Sequence, residues 1–442
     1  MQKIRNFLLK IMTSVGMGSS STFFGIAWRL AVLSLPWQTR WYRETALAGW
    51  PWEQGSWAIY VSWIFLAATV VFGLRSSDFR LPTFTALHKT DRILVGFGCI
   101  VLVFSCLTSD SYVASVQWLI QVGLLGTFVF TLYQKRVPAR SLAAWFAVSL
   151  VPHACLAYWQ YAIQRVDAAK WLGIAFQSPK QLGVSVVELA DLRYLRSYGG
   201  MPHPNILGGW LAVGIVVAWQ AAWRAVKKSE ALIWMAAGAT MAGALVLTFS
   251  RSAFLAVGCG LAALAVVFFR KRQDERFNLQ FGLLAMVVTL AFAGILAYAQ
   301  REVLLARTDQ GNRLVVQSND ARLQSYAMGW RVLKTKPLFG SGPNAELASL
   351  WNVVSKDNPK KPRQPLESPH DVFFLLAVNF GILGAIVFLW VIWRFRKQLL
   401  RRWWLLLPLV ALGSLDHYLW SYWSGLGLTA MVLSLGCLRG QD

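Results

Sequence analysis

Leu279-Gln280-Phe281-Gly282-Leu283-Leu284-Ala285-Met286-Val287-Val288-Thr289-Leu290-Ala291-Phe292-Ala293-Gly294-Ile295-Leu296-Ala297-Tyr298-Ala299 is a run of 21 residues without a charge. A helix of that length rises far enough to cross the ~30 Å hydrocarbon core of a bilayer. No strict alternation of polar and apolar residues runs through it, which excludes a barrel strand. Within lipid only helices and closed barrels satisfy their own backbone hydrogen bonds. The run is therefore read as a membrane helix. Arg270, Lys271, Arg272 and Arg276 precede it. Lys and Arg collect in short cytoplasmic loops, so the helix leaves the cytoplasm and delivers the chain to the outer side at Gln300.

The same signal recurs along the chain. It predicts an all-α integral membrane protein of about twelve transmembrane helices. The spans read as 20–36, 56–74, 92–107, 112–133, 141–163, 205–223, 231–249, 252–269, 279–299, 371–393, 403–418 and 422–438. Arg75, Arg80, Lys89 and Arg92, then Lys135, Arg136 and Arg140, then Arg224, Lys227 and Lys228 all fall on one side of that frame. So do Arg394, Arg396, Lys397, Arg401 and Arg402, the N-terminal Lys3, Arg5 and Lys10, and the C-terminal Arg439. Both termini are thus expected in the cytoplasm. Ala46-Leu47-Ala48 has the form of a cleavage site, yet it lies well past an apolar run that Arg29 interrupts, so the first span reads as uncleaved. Residues 1–299 carry the first nine spans, with a shorter outer loop at 164–204. Residues 300–370 form one long outer loop, and residues 371–442 carry the last three spans.

Composition agrees with a chain embedded throughout its length. It is 56% hydrophobic and only 14% charged, against about a quarter charged in soluble domains. The formal net charge of +23 sits in short clusters between apolar runs, which is the pattern of a topology signal; nucleic-acid binding is excluded as a reading. The five cysteines all lie within apolar runs and form no CxxC, so neither disulfides nor a zinc site is expected. Trp37, Trp41, Trp50 and Trp52 cluster in the first outer loop and read as interfacial anchors. Partners then include membrane lipids.

Few ionisable residues lie within the spans: Arg29, His153, Arg251, Asp416 and His417. A transporter or flippase of about twelve spans is a competing class, but there is no chain of embedded acids and no pair of similar halves to support it. Arg251, in Thr248-Phe249-Ser250-Arg251-Ser252-Ala253, stands at the outer end of a span, where it can either snorkel or ligate an anion. The 300–370 loop carries eleven Lys or Arg against six Asp or Glu. Within it Asn319-Asp320 reads as a helix start, Ala321–Lys336 has helical spacing, Arg322 lies in the first turn and Pro337 stops it. Gly340 and Gly342 then allow close backbone approach. The stretch Lys356–Pro369 reads as irregular and exposed, suited to a lid. The loop closes on Ser368-Pro369-His370-Asp371, where His370 can act as a polar cap or as a general base. The shorter outer loop ends on Arg193, Arg196, Gly199-Gly200, His203 and Asn205, which can form a rigid turn or a substrate contact.

The order of these motifs resembles the O-antigen ligase and O-antigen polymerase superfamily, which includes bacterial protein O-oligosaccharyltransferases. The likeness runs over about residues 190–385, through Gly-x-x-His-Pro-Asn, Ser-Arg-Ser-Ala, Pro-Leu-Phe-Gly-x-Gly-Pro and Pro-His. It implies a GT-C-like fold in the bacterial inner membrane. It implies transfer of a glycan from undecaprenyl diphosphate, at the periplasmic face, to lipid A–core, another glycan or a protein. It further implies that Arg251 and Arg322 are paired substrate arginines and His370 an essential histidine, with no cofactor and no metal. Arg193, Arg196, His203, Asn205, Gly340 and Gly342 would contact substrate. One departure is Asp371, where that family often has Asn. The chemistry is coherent: a diphosphate leaves without protonation when its charge is stabilised, and arginine forks supply that stabilisation. A hydroxyl acceptor needs a base, for which His370 is the candidate. No carboxylate cluster in the chain is expected to hold a divalent ion.

Overall fold

The computed structural model describes residues 23–75, 88–271, 278–357 and 365–438. The basic residues Lys3, Arg5, Lys10, Arg80, Arg272, Arg276 and Arg439, and the middle of the Lys356–Pro369 stretch, lie outside them.

The chain opens with α1 (Phe23–Ser34), then two nested hairpins. β1 (Arg40–Arg43) pairs with β4 (Trp57–Tyr60), and β2 (Ala46–Leu47) with β3 (Trp50–Pro51) inside it. Helices α2 (Val61–Leu74), α3 (Lys89–Leu107), α4 (Tyr112–Gln134) and α5 (Ala139–Ile163) follow. A third hairpin, β5 (Val186–Leu189) with β6 (Leu192–Leu195), precedes α6 (Pro204–Trp223), α7 (Lys228–Val246), α8 (Arg251–Lys271) and α9 (Leu279–Ala299). The 300–370 segment holds α10 (Arg301–Thr308), α11 (Arg313–Thr335) and α12 (Glu346–Asp357). The chain ends with α13 (Val372–Arg401), α14 (Trp403–Gly413), the single turn α15 (Tyr418–Ser421) and α16 (Trp423–Cys437).

Each of the twelve expected spans coincides with a helix. Eight of them are long and apolar enough to cross a membrane: α3 to α9 and α13. The other four, α1, α2, α14 and α16, are apolar but only 10–17 residues long, shorter than the roughly 20 residues that a full crossing takes. The molecule is thus an integral membrane protein built of helices. Two details depart from the sequence reading. Residues 40–60 and 186–195 hold β hairpins within an otherwise helical protein; strands of two to four residues carry too little pattern to be legible. α11 begins at Arg313, capped by Asn312, rather than at Asn319-Asp320.

The packing places α6 at the centre. Fully 94% of its apolar window is buried, against 17% for α9. Trp210 and Trp219 are wholly enclosed in it. On α9, Leu283, Leu284, Val287 and Ile295 are exposed. Such an outward aliphatic face would aggregate in water and is at home in lipid.

α13 is two helices in line. Gly381 breaks it with φ 67° and ψ −169°, a region open only to glycine. The Pro337–Gly342 turn docks into that break. Ile382 N donates to Pro337 O at 2.8 Å, Ser341 N to Val378 O at 2.9 Å and Gly342 N to Asn379 O at 3.0 Å. A Cβ on Gly340 would run into the Asn379 carbonyl. The two glycines, expected to contact substrate, seat the 300–370 segment on α13. Ser105 of α3 donates to Asn379 O at 3.1 Å and supports the same break.

Candidate active site

His370 is placed from three directions. Asp371 caps α13, its Oδ1 accepting from Phe374 N at 2.8 Å. Asn caps helices as well as Asp does, so the Asp371 departure leaves this function intact. Immediately before the histidine, Ser368 Oγ donates to Glu346 Oε1 at 2.6 Å, and Asn379 Nδ2 donates to Glu346 Oε2 at 3.1 Å. Glu346 is 2% exposed, and burial raises its pKa. Its bonds knit α12, α13 and the Ser368 segment into one support.

The imidazole lies between two carboxylates. His370 Nδ1 is 3.7 Å from Asp416 Oδ1, an ion pair rather than a hydrogen bond. His370 Nε2 is 3.4 Å from Glu367 Oε2. Burial opposes a charge on the ring, yet Asp416 and Glu367 outweigh it and raise its pKa to about 9. Burial would raise the Asp416 carboxyl, but His370 and His417 overcome it and hold it well below the usual carboxylate range. Asp416 is oriented by Asn205, whose Nδ2 donates to Oδ2 at 2.9 Å. Asn205 Oδ1 in turn accepts from the Arg196 guanidinium at 2.5 Å, and Arg196 Nε donates to Thr248 O at 2.8 Å. Arg196 is 4% exposed, and burial, then Arg307, pushes its pKa down to about 9. A relay thus runs from Arg196 through Asn205 and Asp416 to His370.

The arginines converge beside this pair. Arg322 on α11, Arg307 at the end of α10 and Arg251 at the start of α8 stand close enough for their charges to repel. Burial, reinforced by Arg251 and Arg322, pushes Arg307 down to about 10. α10 is held there by Val303, which packs with Phe249 and Val187. α11 lies across the start of α13, with Tyr326 and Trp330 ring centroids 5.8 and 5.4 Å from Phe374. Arg251 reaches only Asn319 Oδ1, at 3.5 Å, and Arg307 Nε is buried without an acceptor. Among the described residues none of the three has a carboxylate partner. Three half-buried cations that repel one another favour an anion that joins them. A diphosphate has the right charge and several acceptor oxygens for three guanidinium forks.

The remaining expected residues are held by partners of their own. His203 caps α6, its Nδ1 accepting from Asn205 N at 3.1 Å, and its Nε2 meets Ser185 Oγ at 2.8 Å. Burial and Arg196 push its pKa down to about 3. Arg193 pairs with Glu188 at 3.6 Å, and Glu188 also pairs with Arg313 at 3.1 Å, which ties the β5–β6 hairpin to the start of α11. His153 is fully buried, accepts from Gly200 N at 3.0 Å and packs on Trp37. Sequence reasoning missed Arg307 and Glu367, and noted Asp416 and His417 without joining them to His370. It also saw no metal-competent cluster, since these residues come from two separated segments. In space one ligand atom each from His370, Asp416 and His417 lies within 4.8 Å of the others, a set able to hold a cation.

Residues 236–389 match the family model described as O-antigen ligase. Over this segment the chain is similar to the O-antigen ligase family. The matched segment is about a third of the chain and contains Arg251, Arg307, Arg322 and His370. Arg196, Asn205, Asp416 and His417 lie outside it on both sides, joined to one another and to His370 by the contacts above. No curated protein matches the chain.

Proposed function

We propose that this protein is a polyprenyl-diphosphate-dependent glycosyltransferase of the O-antigen ligase type. It moves a glycan from undecaprenyl diphosphate to lipid A–core at the periplasmic face of the bacterial inner membrane. The membrane body of about twelve spans comprises residues 1–299 and 371–442, with both termini cytoplasmic, and residues 300–370 cap it on the outer side. One observation carries the reading: three arginines that have no carboxylate partner among the described residues stand beside a histidine held by an aspartate.

In this mechanism Arg251, Arg307 and Arg322 grip the donor diphosphate. An acceptor hydroxyl approaches His370 Nε2, displacing Glu367. The acceptor oxygen bonds to the anomeric carbon as the bond from that carbon to the diphosphate oxygen breaks. The hydroxyl proton passes to Nε2, and the diphosphate leaves with the electron pair, its charge held by the guanidiniums. Asp416 positions the ring and stabilises the imidazolium. Each arginine contributes on the order of 10²–10³-fold, by analogy with other fixed oxyanion donors. The reaction uses no metal and no cofactor; the carrier lipid arrives with the donor.

Glycan analysis of a deletion strain tests this. Unattached lipid-linked polymer, restored to lipid A–core by the wild-type gene and not by His370→Ala, is the expected result. Single repeat units on core would instead indicate a polymerase, and loss of a glycoprotein a protein O-oligosaccharyltransferase. Unchanged glycans would defeat the reading.

A further inference from the structure

Glu367, which meets His370 Nε2, faces a space of opposite character from the arginine side. The nested hairpins, the Pro365–Ser368 segment and Tyr422 enclose a cavity of about 400 Å³, a size typical of small-molecule sites. Glu367 and His417 line it, and both contact His370, so it lies one side chain away from the histidine. Tyr42, Trp50, Trp52 and Tyr422 give it flat aromatic walls. Arg40 is the cation in its wall, and it is already satisfied: it pairs with Glu53 and donates to Tyr60 Oη at 2.8 Å. Glu44 and Glu367 are the lining carboxylates that remain. In a chain of net charge +23 this is an acidic pocket beside a cationic one. Trp52, 8% exposed, has an indole N–H without an acceptor.

We infer that this cavity is the subsite for the acceptor saccharide, and that it takes a neutral or amino-bearing sugar. The inference rests on the transferase reading above. Aromatic faces are electron-rich and apolar, matched to the C–H face of a pyranose. Carboxylates accept hydrogen bonds from hydroxyl or ammonium groups, and the Trp52 N–H can donate to a ring or hydroxyl oxygen. A phosphate is repelled here and drawn to the arginines, so the two sides of His370 sort acceptor from donor. The first outer loop, whose tryptophans the sequence offered as membrane anchors, thereby sets acceptor specificity.

The probe is the free saccharide released by mild acid from the lipid A–core of the host's own membranes. It is titrated calorimetrically into the full-length protein in nanodiscs. Saturable binding is expected, weakened about tenfold or more by Glu44→Gln and by Trp50→Ala, and unchanged by Arg322→Ala. Glu44 is exposed, so its isosteric variant leaves the fold intact. Absence of saturable binding, or loss with Arg322→Ala and not with Glu44→Gln, overturns the inference. Wild-type binding without any glycan transfer would sink the transferase reading while leaving the saccharide site standing.

Discussion

Replacing Asp416 by asparagine should move the pH dependence of glycan transfer. The carboxylates beside His370 raise its pKa from 6.5 to about 9 despite burial. At roughly 1.4 kcal/mol per unit, that is about 3 kcal/mol in favour of the imidazolium. A general base must be neutral to accept a proton. In the wild type only about one ring in a hundred is neutral at pH 7, so the rate should climb about tenfold per unit and level off near pH 9. The amide of the variant keeps the shape and can still accept from Asn205, but it removes the charge. Glu367 alone then faces burial and the repulsion of Arg322. The pKa should fall below 7, and the rate should become flat above that point. The plateau should be lower by about 10²-fold or more, because the base is weaker and its ring less firmly held. The assay is the initial rate of transfer from purified lipid-linked glycan in nanodiscs, from about pH 6 to about pH 10. A variant whose break stays near pH 9, or a wild type flat above pH 7, refutes the assignment of His370 as an aspartate-held base.

Arg307→Ala should cut transfer on the order of 10²–10³-fold while leaving the melting temperature level or higher, since it removes a buried like charge; a large drop in melting temperature would make Arg307 structural. EDTA should leave transfer unchanged, and an inhibition reversed by added zinc would instead place a cation among His370, Asp416 and His417. Glu346→Ala should strand Ser368 and Asn379 and cost about 2–4 kcal/mol by differential scanning calorimetry, at roughly 1–2 kcal/mol for each lost partner, whereas a fully stable variant would rule out Glu346 as the support of His370. Gly381→Ala should cost at least about 1–3 kcal/mol from backbone strain, and an unchanged thermal midpoint would show that the break in α13 is not fixed by this residue.

What the sequence made legible follows from range. The helices rest on long apolar runs, and every expected span coincides with one. The break at Ser250-Arg251, hard to locate inside a continuous apolar stretch, is set by Phe249 at φ 48°. Arg251, Arg322 and His370 stood out because each interrupts a pattern or ends one. Arg307 interrupts nothing: it is one of several basic residues in a polar loop, and only the seating of Val303 against Phe249 brings it inward. Asp416 was visible as an ionisable residue near a helix end, but its pairing with His370 joins the start of α13 to the end of α14 and has no local signature. The start of α11 slipped for the same reason, because Asn312 is chosen as cap by a bond to Glu188 O at 2.8 Å. Gly340 and Gly342 were rightly read as sites of close approach, though what approaches is the chain itself.

The break at Gly381 has a bearing on how the molecule can be recombined. The stub of α13 before it is packed by α11 and held by the Pro337–Gly342 turn, while the stretch after it runs on among the membrane helices. The 300–370 segment therefore owns the first turns of what looks, by hydropathy, like one uninterrupted span. A chimera that exchanges this segment between relatives should cut at Gly381, carry Ser105 along with it, and leave the apparent membrane boundary at His370 untouched.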